Sequence, residues 1–145
     1  MLSRSFFVNF ALSFLTWLCF TNLASAASSK SYSVGDKEHG YASWYSEGSK
    51  TASGERFDRH KLTAAHRYLP FGSIVCVTSR STGLHVEVRI NDRGPWQDGR
   101  IIDVSEAAAD VLQMKRPGTI PVEIKLVHLG NGAIKKKHKD WWKFW

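Results

Sequence analysis

Four side chains in this sequence are of the types that move protons on sugars: Glu55, His66, Asp92 and Asp103. A carboxylic acid can protonate the oxygen that leaves a glycosidic bond, while a second group takes the other proton or steadies the developing positive charge. Trp44, Tyr45, Phe57 and Trp96 offer flat faces on which a sugar ring can stack, and Asp58 and Arg93 complete the candidate substrate-binding set. Each residue also has a plainer use. Asp92 precedes Arg93-Gly94-Pro95 and can close a turn onto its own backbone. Asp103 can help cap a helix, Glu55 and Asp58 can pair with Arg56, and His66 in its Ala-rich stretch can be a satisfied core histidine. On spacing alone these structural uses carry more weight.

Strands must position these groups, because the patterned region has a period close to two. Residues 73–78 predict a buried strand, residues 80–83 a turn, and residues 85–90 an alternating strand with Val86, Val88 and Ile90 on one face. Residues 100–104 predict another short strand. Ser105 then caps a helix whose apolar side is Ala107, Ala108, Ala109, Val111 and Leu112, with Glu106 favourable in its first turn. Pro117-Gly118 punctuates, and residues 121–127 alternate again. Asp92 and Asp103 each follow a strand-like run, which puts both at a rim. Cys76, flanked by Ile74, Val75 and Val77, reads as a buried thiol. Many short strands and one short helix predict an all-β fold closed into a small barrel, since closure removes exposed edges.

Longer words in the sequence sharpen this reading. GYASWYSEGSKTASGERFD, LTAAHRYLPFGSIVCVT, VEVRINDRGPWQDGRIIDVSEAAADVL and VEIKLV occur in this order between residues 39 and 127. Together they resemble the rare lipoprotein A (RlpA) family. The resemblance implies a six-stranded double-psi β-barrel, related in fold to expansins. It also implies endolytic lytic transglycosylase activity on peptidoglycan glycan strands stripped of stem peptides, leaving 1,6-anhydro-N-acetylmuramic acid ends. Glu55, His66 and Asp92 match the acidic, imidazole and acidic positions of the family's motifs, and Asp103 matches the acidic position that related barrels also present. Ser53 stands where the family commonly has Asn. A non-catalytic, expansin-like glycan binder is the rival reading. No metal or other cofactor is expected, and the expected partner is the glycan strand, bound by a monomer.

The first residues set the expected compartment. Arg4 precedes an apolar run from Phe6 to Phe20, which ends at Ala24-Ser25-Ala26. This order describes a secretory signal peptide over residues 1–26 and a periplasmic or envelope location. Trp17 and Leu18 precede Cys19 where a lipobox has small residues, so lipid anchoring is not expected. Residues 27–38 read as a linker, 39–128 as the barrel and 129–145 as a basic-aromatic tail. Of the formal net charge of +7, residues 134–145 carry five lysines against one aspartate. The basic balance is therefore mostly a property of the tail and gives no reason to expect nucleic acid. Lysines beside clustered tryptophans suit an anionic membrane surface. Full-length protein is expected to co-sediment with anionic vesicles more than protein lacking residues 134–145, and equal partitioning would remove the membrane contact.

Overall fold

The structure is a computed structural model that describes residues 30–132; the segment read as a signal peptide and the tail from residue 133 onward lie outside the described residues. Its elements are β1 (Lys37–Tyr45), β2 (Thr63–His66), β3 (Ile74–Ser79), β4 (His85–Asp92), β5 (Arg100–Ser105), α1 (Glu106–Val111) and β6 (Ile120–His128). The strands close into a barrel in the order β1-β5-β2-β4-β3-β6. The β1–β5 and β2–β4 pairs are parallel and the other four are antiparallel. Parallel neighbours cannot be joined by hairpins, so the chain crosses over the barrel to make them. This is the double-psi barrel that the sequence words imply and that periodicity alone does not reveal.

Alternation builds the core. Val86, Val88 and Ile90 of β4 point inward with Val75 and Val77 of β3, Ile102 and Val104 of β5, and Val122, Ile124 and Leu126 of β6. In β3 the outcome differs from a uniformly buried strand. Ile74, Cys76 and Thr78 lie on its half-exposed side, because only the inner face of β3 is covered. Cys76 is therefore an outward, partly exposed thiol with its Sγ 3.9 Å from Thr78 Oγ1.

Two strands give weak sequence signals. All four residues of β2 are buried, but two of them are alanines, which have little strand preference. In β1, a Cβ placed on Gly40 would lie 2.6 Å from Ile101 Cγ2, so glycine is what lets β5 approach there. β1 also begins inside the segment read as linker. That segment is docked: Tyr32 packs against the core, Gly35 N–H donates to Leu126 O at 2.8 Å, and Leu126 N–H donates to Asp36 O at 2.9 Å.

Ser105 ties the helix to the site-bearing strands. Its hydroxyl accepts from Ala108 N–H, donates to Lys61 O at 2.6 Å and accepts from Thr63 N–H at 3.4 Å. Ala108, Ala109 and Leu112 are buried as the pattern predicts, whereas Val111 is exposed. Ser105→Ala removes a cap worth about 1–2 kcal/mol. The expected result is a fall of several degrees in the thermal midpoint, measured by circular dichroism.

Candidate active site

One irregularity in the ladders decides which side chains meet. Thr63 pairs with Arg89 and Ala64 with Ile90, but Ala65 pairs with Asp92, so Asn91 is an extra residue in β4. Without it, Asp92 would follow Val88 and Ile90 into the core, because faces alternate with period two. The bulge instead keeps Asp92 on the outer face with Arg89 and Asn91. Across β2, Ala65 also pairs with Asp103, which in turn pairs with Ser43. The two aspartates thus flank one alanine, their backbones about 10 Å apart at two strand spacings.

Tyr45 completes this group. Its ring stacks on Phe57, with centroids 4.8 Å apart and planes 28° apart. Burial, with the charges of Asp92 and Asp103, holds its hydroxyl well above the usual phenol range. Tyr45 therefore keeps its proton, close to both carboxylates. Arg100 donates to Asp103 Oδ2 at 2.6 Å and to the Gln97 side chain. Tyr45 Oη, Asp103 Oδ1 and Arg100 Nε are all buried without a hydrogen-bond partner among the described residues. Buried polar atoms normally have partners, so three such atoms beside the aspartate row set it apart from the rest of the barrel wall.

Asp92 is held differently. Its Oδ1 accepts from Ala52 N–H at 2.7 Å and from Arg93 N–H at 2.8 Å. Both bonds fall on one oxygen, which leaves Oδ2 clear among the described residues. Ala52 reaches Asp92 because residues 46–62 are clamped onto the barrel by Glu55. The Glu55 carboxylate accepts from Arg89 in a bidentate pair, at 2.9 and 2.8 Å, and from Asn91 Nδ2 at 3.1 Å. The Arg89 hydrogen bonds, with help from Asn91 and against a smaller burial effect, hold this carboxyl below the usual carboxylate range. A group so committed is a charged clamp and a poor proton donor at neutral pH.

His66 lies one residue from the aspartate row but on the other face. It is 1 % exposed. Its Nδ1 accepts from Tyr68 N–H at 3.2 Å and Leu69 N–H at 3.0 Å, and its Nε2 is 3.5 Å from Glu38 Oε2. Arg93 is also committed inward: it donates to His66 O and Leu69 O at 3.2 and 3.0 Å and lies 3.7 Å from the centre of the Phe71 ring. Trp44 packs against the core beneath Lys115, away from the aspartates. Asp58 accepts from His60 N–H at 3.0 Å and lies 3.8 Å from Lys61 Nζ, lining an open depression beside Phe57. Trp96, by contrast, is 75 % exposed on the loop that follows Asp92. Arg67 tethers that loop through the carbonyls of Pro95 and Gln97. Of the sequence candidates, the structure gathers Asp92, Asp103 and Tyr45, with Trp96 on the adjoining loop. It sets Glu55, His66 and Arg93 in supporting contacts. Arg89, Asn91 and Arg100 had no chemical signal of their own; their only mark was adjacency to the motif carboxylates.

A family model described as lytic transglycolase matches residues 37–124, from the start of β1 into β6. The chain belongs to the lytic transglycolase family. It is 51% identical over 94 residues to a probable endolytic peptidoglycan transglycosylase RlpA of Aquifex aeolicus, covering 63% of this chain and 42% of the relative. It is 42% identical over 130 residues to the endolytic peptidoglycan transglycosylase RlpA of Neisseria meningitidis serogroup B, covering 79% and 54%. The chain thus spans about half the length of these curated relatives. Solved structures share the barrel of this lytic transglycolase domain. A Streptomyces papain inhibitor aligns with TM-score 0.55 and 23% identity over 66% of this chain and 97% of its own. A mutant Clavibacter michiganensis expansin in complex with cellohexaose aligns with TM-score 0.52 and 22% identity over 64% and 51%.

The Glu55 clamp generates a pH prediction. In the unfolded chain a glutamate protonates near about 4.3. The depressed folded value means that the clamp's stabilising contribution is present above that pH and lost as pH falls through the folded value. Glu55→Gln should lower the thermal midpoint at pH 7 and flatten its decline as pH falls below about 5. An unchanged acid limb would show that the ion pair contributes nothing.

Proposed function

We propose that this domain is an endolytic peptidoglycan lytic transglycosylase that cuts glycan strands lacking stem peptides and leaves 1,6-anhydro-N-acetylmuramic acid ends. The observation that carries the proposal is the row Asp92–Ala65–Asp103 on the outer face of the barrel, within reach of whose charges the Tyr45 hydroxyl is buried. Asp92 Oδ2 delivers a proton to the glycosidic oxygen as the bond from muramic C1 breaks. Asp103, steadied by Arg100, faces the positive charge that develops at C1. The muramic C6 hydroxyl then attacks C1 and returns its proton to Asp92, so no water is consumed. Tyr45 donates to a ring substituent, and Trp96 stacks against a neighbouring sugar. Glu55 and His66 act by position, the first through the loop that carries Ala52 and the second through the turn that receives Arg93. The names of the RlpA relatives support the reaction class. A cell-envelope location and a monomer acting on peptidoglycan strands follow from the same reading.

An expansin-like binder that loosens glycan without cutting it is the second reading, favoured by the shared barrel and by the cellohexaose in the expansin complex. Mass spectrometry of products from stripped strands separates the two. The expected product is an anhydromuramic end without oxygen label from oxygen-18 water. A labelled reducing end would make the protein a hydrolase, and binding without cleavage would leave the expansin reading. Asp92→Asn should lower the rate about a hundredfold or more without loss of folding. A larger fall for Asp103→Asn would move the acid to that residue.

A further inference from the structure

The 46–62 loop carries a charge arrangement that the reaction does not use. Lys50 and Arg56 face each other across an isolated antiparallel bridge. Like charges directly opposite one another on paired strands repel. Neither side chain has a hydrogen-bond or ion-pair partner among the described residues. Arg56 and Lys61, with one carboxylate, Asp58, between them in sequence, line the open depression beside Phe57. Lys61 lies 3.8 Å from Asp58, and its charge also reaches Glu55. Phe57 is the ring on which Tyr45 stacks, so the depression begins one aromatic ring away from the Tyr45 hydroxyl and the two aspartates. Exposed cations in excess over the one carboxylate, on the loop whose Phe57 stacks on Tyr45, suit an anionic substituent on a strand that passes Asp92 and Asp103.

We infer that Lys50, Arg56 and Lys61 read the free lactyl carboxylate of a muramic residue next to the cleavage point. The inference rests on the lyase reading above and gives it a basis for choosing stripped strands. A stem peptide is joined to the lactyl group through an amide, which carries no charge at the junction. Hydrolysis of that amide leaves one carboxylate on each muramic residue. The class of reaction that must supply this substrate is therefore amide hydrolysis at the lactyl group. A strand still carrying peptide presents bulk where the cations wait for a compact anion. The loop thus distinguishes strands by charge, while the barrel carries out the cleavage.

The test uses the full chain and stripped strands in two forms: with lactyl carboxylates free, and with the same carboxylates converted to neutral methylamides. Binding is measured by co-sedimentation or titration, and cleavage by product analysis. Wild-type protein should bind the carboxylate strands about three- to tenfold more tightly at low ionic strength, as expected for a few exposed ion pairs. The advantage should shrink as salt is added. The double variant Lys50→Gln, Arg56→Gln, which keeps Lys61, should lose most of this preference. Its thermal midpoint should be unchanged or raised, because a repulsion has been removed. Equal binding of both strands by the wild type, or an undiminished preference in the variant, overturns the inference. Cleavage without discrimination sinks the carboxylate pocket and leaves the lyase reading standing. Discrimination in binding without cleavage sinks the lyase reading and supports the pocket.

Discussion

The site depends on parity. A strand shows alternate residues to alternate faces, so the core demand of Val86, Val88 and Ile90 would carry Asp92 inward as well. A carboxylate buried among valines and isoleucines would have to give up its charge or destabilise the barrel. The extra residue Asn91 changes the phase at the last step of β4, after the core has been filled. It does so beside β2, the one strand paired with both β4 and β5. Because β2 runs parallel to one and antiparallel to the other, Ala65 meets the end of β4 and the middle of β5 together. That brings together residues 92 and 103, which lie on either side of a loop. A bulky residue at position 65 would fill the space between them.

Around this row the charges are divided by element. The barrel carries the two aspartates and Arg100, held to its own strand's Asp103 at 2.6 Å. The loop carries Glu55, whose charge is spent on Arg89 and Asn91 of β4. This pairing turns a flexible excursion into part of the barrel wall and delivers the Ala52 N–H to Asp92. The same loop presents Phe57 to Tyr45, which fixes where the phenol ring stands and hence where its hydroxyl points. Removing the clamp would thus act on both Asp92 and Tyr45 without touching either.

The sequence displays the parts of this arrangement unevenly. The alternation of β4 and β6, the Ser105 cap and the buried alanines of α1 were readable from type and spacing, because solvent acts on one face of each. β2 was hidden by its alanines and its length. Cys76 was misread as buried because a run of β-branched neighbours signals a strand without saying which face is covered. The family words recovered the crossing topology that local pattern cannot hold, since parallel pairing joins residues far apart in the chain. They marked Glu55, His66, Asp92 and Asp103 alike. Only the hydrogen bonds separate them into the Asp92–Asp103 row and a pair committed to the scaffold.

That separation bears on how loss of activity should be read at this site. A general acid contributes roughly a hundredfold to ten-thousandfold in rate. A displacement of about 1 Å in the groups that position a substrate costs on the order of a hundredfold by itself. Mutation of Glu55 or His66 can therefore silence the domain without either residue ever touching sugar. His66 anchors the turn whose carbonyls hold Arg93, and Arg93 N–H holds Asp92. Glu55 anchors the loop whose Ala52 N–H holds the same oxygen. Both supports converge on Asp92 Oδ1, which leaves Oδ2 for the role proposed above. A single carboxylate fixed in this way can serve as acid in one step and base in the next. An intramolecular transfer that uses the sugar's own hydroxyl needs no separate group to activate a water.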